Sequence, residues 1–154
     1  MPIYSRGLKP PHAHRAAHMS GTAAVEFALV FPLLLFVVFG AIELGAALYD
    51  KSVLTNASRE AARFGVLLQA TPPTTKAQVI SLITPVVTTY SQNQLVTFGS
   101  TSTPQVDVVF TNSNSGSPLQ VKLSYTFNGL VLGPLIAPFS GPLQINTTTT
   151  MKFE

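Results

Sequence analysis

The chain is 154 residues long, room for one globular domain of roughly 100–150 residues and an appendage but not for two domains. It is 46% hydrophobic and only 10% charged, where an average soluble domain is about 25% charged, so part of it is built to leave water. Its net charge of +3 comes from residues 1–21, where Arg6, Lys9 and Arg15 have no acid beside them; the remaining 133 residues carry 6 basic and 6 acidic side chains.

The absence of cysteine excludes disulfides, thiol catalysis and thiolate metal sites. His12, His14 and His18 all lie in the basic lead, so the body has no imidazole for a Ser-His nucleophile. A histidine cluster in such a lead also lacks the outer shell that orients metal ligands. No glycine-rich phosphate loop, HExxH, EF-hand loop or basic patch interleaved with aromatics is present. Neither a cofactor, a metal nor a nucleic-acid partner is expected, and an enzyme is disfavoured.

Phe27 to Ile42 is a run of 16 uncharged residues, apolar on every face. Widened to Thr22 through Tyr49 it gives 28 helical residues, about 42 Å at 1.5 Å per residue, enough to cross a hydrocarbon core of about 30 Å. A buried helix of a soluble core is the competing reading, and the basic flank favours the membrane. The lead's Arg6, Lys9 and Arg15 place the N-terminus in the cytoplasm and the last 100 residues across the membrane. Pro32 inside the span lacks the donor that would bond to Ala28, so a loosened turn is expected there. Ala41 and Gly45 form a small-xxx-small pair, a candidate contact for a second helix. Glu43 marks the outer boundary of the span.

A secretory signal peptide also has a basic start and an apolar core, and Gly45-Ala46-Ala47 resembles a cleavage site. Against it stand the long basic lead and Glu26, a carboxylate at the edge of the apolar run that an export signal does not need. Such a charge costs about 2.5–3.5 kcal/mol at mid-bilayer and less at the interface, so it calls for a partner.

Met19-Ser20-Gly21-Thr22-Ala23-Ala24-Val25-Glu26-Phe27, followed by Phe31-Pro32, Ile42-Glu43-Leu44-Gly45 and Leu54 through Gly65, resembles the TadE-like family, pseudopilins of bacterial tight-adherence (type IVb, Flp) pilus systems. The resemblance implies that a prepilin peptidase cuts after Gly21, making Thr22 the new N-terminus, with Glu26 and Phe27 as the assembly positions. It further implies a protein of the bacterial inner membrane, working with other pilins, the pilus assembly machinery and membrane lipid. Cleavage would create an α-amino group, largely cationic at neutral pH, as a counter-ion for Glu26 in the same chain or in a neighbouring subunit.

Beyond Asp50-Lys51, Val53, Leu54, Ala57, Ala61 and Phe64 recur at helical spacing, with Ser58, Arg59, Glu60 and Arg63 on the other positions, so the helix is expected to continue to a stop at Gly65. Thr71-Pro72-Pro73 is a linker, and Thr75-Lys76-Ala77-Gln78 is a capping box opening a second helix that Pro85 kinks or ends. Alternation predicts strands over Gln105–Thr111, Leu119–Asn128 and Leu143–Phe153, with Leu95–Phe98 as a weaker fourth and Asn112 to Ser117 as a polar turn. Gly129–Pro142 is too rich in proline for a strand. Two readings stay open for it: an exposed apolar loop that docks on the bilayer or another subunit, or a crossover packed on its own sheet.

The expected organisation is a basic leader at 1–21, a transmembrane helix at 22–49, its extracytoplasmic continuation at 50–70 and a small extracytoplasmic α+β domain at 71–154. The expected fold is α+β, a long transmembrane and stalk helix, a second short helix and a small, mainly antiparallel sheet of three or four strands, similar to a pilin. The implied function is a minor pilin-like subunit in pilus assembly, adhesion and biofilm formation. The alternative is an uncleaved single-pass anchor whose outer domain binds a pilus or secretion component.

Overall fold

A computed structural model describes residues 16–70, 75–98 and 102–153. The lead through Arg15, with His12 and His14, the Thr71-Pro72-Pro73 linker and Glu154 lie outside these residues, as does the side chain of His18. The described chain forms α1 (Ala16–Val66), a 3-10 turn (Leu67–Ala70), α2 (Lys76–Ser91), β1 (Gln105–Phe110), β2 (Pro118–Phe127), α3 (Leu132–Ser140) and β3 (Leu143–Lys152), an α+β fold. Contacts divide the chain between Val38 and Phe39 into two units.

In the first unit α1 begins at Ala16. Ala16, Ala17 and Met19 are good helix formers, and a single glycine at 21 costs only about 1 kcal/mol relative to alanine, too little to stop the helix. Pro32 lies inside α1 without ending it. Every residue from 21 to 38 is exposed.

In the second unit three strands form one antiparallel sheet in the order β1-β2-β3. Gln105 pairs with Ser124 and Phe110 with Leu119; Pro118 pairs with Lys152 and Phe127 with Leu143. On β2 the alternation works as expected: Leu119, Val121, Leu123, Tyr125 and Phe127 are buried, while Lys122 is exposed. The helices cover that buried face. Ser58 Oγ on α1 bonds Thr149 Oγ1 on β3 at 2.7 Å, and Leu54 O accepts from Thr147 Oγ1 at 3.5 Å. Fully buried Ala57, Ala61 and Ala62 keep the outline of α1 slim there.

α2 opens on the expected box. Gln78 N–H donates to Thr75 Oγ1 at 3.3 Å, and Thr75 N–H donates to Gln78 Oε1 at 3.1 Å. Pro85 neither ends nor replaces the helix, which runs on to Ser91 and buries Val79, Ile83 and Val87. Lys76 reaches Asp107 on β1 at 2.5 Å, and this half-exposed pair holds the Asp107 carboxyl below its ordinary value.

Several expectations are corrected by the packing. Gly65 does not stop α1; the helix passes through it to Val66, and its backbone is not left-handed. Its lack of a Cβ serves contact instead, since a Cβ there would sit 2.6 Å from Leu119 Cδ2. Ser58 is fully buried by its bond to β3, whereas Phe64 is 39% exposed. Leu95 to Phe98 form no fourth strand. Their backbone donors serve other acceptors: Val96 N–H goes to Asp50 Oδ1 at 2.8 Å and Phe98 N–H to Asn128 O at 3.1 Å. The proline-rich stretch after β2 is neither a bare loop nor a strand. Its centre is α3, capped by Gly141, whose φ is 74° and whose N–H donates to Ala137 O at 2.9 Å.

Candidate functional site

The candidate processing and assembly residues lie on the exposed part of α1. Gly21 is helical and exposed, and a Cβ built on it meets nothing within 4 Å. Packing within the chain therefore does not require glycine at this position, in contrast to Gly65. Thr22 and Glu26 are one helical turn apart on one side of α1, the spacing at which groups on a helix meet. Both are exposed. Phe27 is 65% exposed and stacks on Phe31, centroids 5.1 Å apart with ring planes 24° from parallel.

The helix is long and apolar enough to cross a membrane. Its most apolar window has a mean hydropathy of 2.5 and is 0% buried. For a water-soluble chain, so long an apolar surface would be an uncovered liability; in a bilayer it is a requirement. Proline within it is tolerated because a membrane helix re-satisfies a freed carbonyl locally.

In the second unit Ala41 and Gly45 are both exposed, and nothing lies within 4 Å of a Cβ built on Gly45. Their shared face is exposed. The positions between and beyond them differ. Glu43 is only 3% exposed. Its Oε1 accepts the backbone N–H of Val131, at the start of α3. Gly129 faces the same carboxylate so closely that a Cβ there would lie 2.5 Å from Glu43 Oε2 and 2.9 Å from Gly133 N.

Two turns further along α1, Asp50 is 0% exposed. Its Oδ1 accepts from Val96 N–H, while Oδ2 has no hydrogen-bond partner. Burial raises the Asp50 carboxyl above its ordinary value of 3.8, and the Val96 N–H partly opposes that rise. Tyr125, 1% exposed, bonds the side chains of Thr97 and Ser102. Burial raises its hydroxyl too, with a smaller push from the charge of Asp50.

The roles of Glu43 and Asp50 are missed by reading the sequence for charge alone. A signal was present: residues 43, 47, 50, 54, 57 and 61 step by four and three, one helical stripe in which every other member is apolar. An acid on such a stripe faces the core and must find donors there. A concavity beside the sheet is lined by Ser102, Thr103, Gln105, Ser124, Thr126 and Gln144. These hydroxyls and amides include no carboxylate, imidazole or amine suited to moving a proton.

The family model described as TadE-like protein matches residues 21–63. The resemblance read from the sequence is thus matched over the segment that holds its specific motifs. Comparison with curated proteins and with solved structures gives no match.

Proposed function

We propose that this chain, TadE-like over residues 21–63, is a minor pilin-like subunit of a tight-adherence pilus system, acting in pilus assembly and surface adhesion. A prepilin peptidase cuts after Gly21, and residues 22–49 hold the product in the bacterial inner membrane with the sheet domain outside. The observation that carries the reading is the exposed apolar helix, 0% buried in its most apolar window, within the segment that matches the family. Its work is assembly through surfaces, not catalysis.

Gly21 supports the processing step. Nothing in the chain's own packing demands a residue without Cβ there, which leaves the glycine available to a cleft that binds this backbone. Glycine also weakens the helix locally, by about 1 kcal/mol relative to alanine, which eases the unwinding that a protease needs. The new ammonium on Thr22 then supplies the cation that Glu26 needs at the edge of the apolar run. The pair forms along one helix or between subunits.

A second reading, an uncleaved single-pass anchor, is favoured by one feature: α1 runs without a break from Ala16 through Gly21, so the scissile bond lies inside a helix. The N-terminus of the membrane-extracted protein, determined with and without an active prepilin peptidase, separates the two. Thr22 is expected first when the peptidase is active. Met1 in both samples would establish the anchor and refute processing. Glu26→Gln is expected to insert normally and assemble poorly, and normal assembly would refute the pairing.

A further inference from the structure

Residues 129–142 contain no charged side chain, and α3 at their centre leaves apolar groups in the open. Leu130 is 62% exposed, Leu135 53% and Phe139 90%. A chain surrounded by water gains nothing from such a patch. Its place in the fold indicates what covers it. The Val131 N–H to Glu43 bond, and the approach of Gly129 to the same carboxylate, fasten the start of α3 to α1 at residue 43. That residue directly follows Ile42, where the uncharged run ends, and Ile42 and Leu44 are themselves 55% and 57% exposed. The exposed apolar groups around α3 therefore begin beside residue 43 of α1, directly after its uncharged run.

We propose that α3 is an interfacial helix that lies on the outer leaflet, with its Leu135 and Phe139 and the preceding Leu130 in the boundary between headgroups and acyl chains. The inference rests on the reading of α1 as a membrane span. A lipid surface fits better than a second protein for two reasons. The patch has no charge with which to set a register against a partner, and within its own unit it starts beside the exposed apolar Ile42 and Leu44 of α1. The Glu43 bond then has a further use. A carboxylate at the membrane edge is costly when bare, and the N–H at the start of α3 satisfies it while setting the helix at that depth.

The chain has no tryptophan, so one introduced residue reports its own surroundings. Phe139→Trp and Leu29→Trp replace side chains that are 90% and 74% exposed, so neither disturbs the core. The full chain of each variant is reconstituted in phosphatidylcholine vesicles carrying bromine at shallow or deep acyl positions. The Leu29→Trp protein is expected to lose most of its emission to the deep quencher. The Phe139→Trp protein is expected to lose most of its emission to the shallow quencher, as for a helix sunk about 5–10 Å into the interface. Both losses should be independent of the protein-to-lipid ratio. Quenching of Leu29→Trp without quenching of Phe139→Trp would overturn the interfacial helix and leave the span intact. No quenching in either would overturn the span and the inference with it. An unquenched Phe139→Trp emission that shifts to longer wavelength on dilution into excess lipid would overturn it in favour of contact between two copies.

Discussion

Gly21 and Gly65 lie on one helix, and the structure predicts opposite responses to adding a side chain. At Gly21 a Cβ finds open space, so Gly21→Leu should fold as well as the parent and gain roughly 0.8 kcal/mol of local helix propensity. At Gly65 a Cβ would stand 2.6 Å from Leu119 Cδ2, where carbon atoms prefer about 3.5–4.0 Å. Leu119 is 0% exposed, so its side chain has little room to retreat by the ångström or so required. Overpacking of this kind costs about 1–3 kcal/mol, and alanine returns about 1 kcal/mol in propensity. The net expectation for Gly65→Ala is a loss of up to about 2 kcal/mol, a fall of several degrees in the melting temperature of a domain this size. Thermal unfolding of the detergent-solubilised chain reads both values, and N-terminal sequencing from cells with active peptidase reads processing. Gly21→Leu should melt no earlier than the parent yet keep Met1. A Gly65→Ala protein at least as stable as the parent would refute the packing argument. A Gly21→Leu protein cleaved normally would refute the assignment of that glycine to the peptidase.

Asp50→Ala removes the acceptor of the part-buried bond from Val96 N–H and should cost about 0.5–1.5 kcal/mol in urea unfolding. Because folding raises this carboxyl's pKa, the native state binds its proton more tightly than the unfolded state, so this group's contribution to stability falls as pH rises from about 3.8 and levels off above the folded value. Asp50→Asn keeps an acceptor oxygen and should flatten that part of the pH profile; an unchanged slope would contradict it. Glu43→Ala should speed hydrogen exchange at the Val131 amide and through α3, and unaltered protection would mean that another contact holds the helix. Gly129→Ala meets the Glu43 carboxylate and the Gly133 amide together and should lower stability by about 1–3 kcal/mol, measured by the same exchange and by urea unfolding.

Much of the fold was readable because its signals are local. The strand boundaries follow from alternation over a few residues, and the start of α2 follows from a four-residue box whose two bonds both form. The apolar run and the motif from Gly21 to Phe27 are likewise patterns of neighbours in the chain. The family match falls on the same segment, 21–63. Intrinsic preference goes astray where it is weak beside its surroundings. Glycine at 65 looks like a helix end, yet the fold uses it to admit Leu119. Proline at 134 and 138 suggests an irregular loop, yet α3 accommodates both.

The sequence by itself determined the types of α1, α2 and the three strands, the single long apolar helix and the candidate cleavage and assembly residues, since each depends on spacing within a turn or a strand. Tertiary structure alone decided which polar groups meet. The Glu43 bond to Val131 spans 88 positions, Ser58 to Thr149 spans 91 and Asp50 to Val96 spans 46. No local pattern encodes such pairings, because a buried donor is satisfied by whichever acceptor the folded chain brings within reach. For that reason α3, its anchoring at residue 43 and the loss of a fourth strand to the Asp50 carboxylate emerge only once the helices are laid on the sheet.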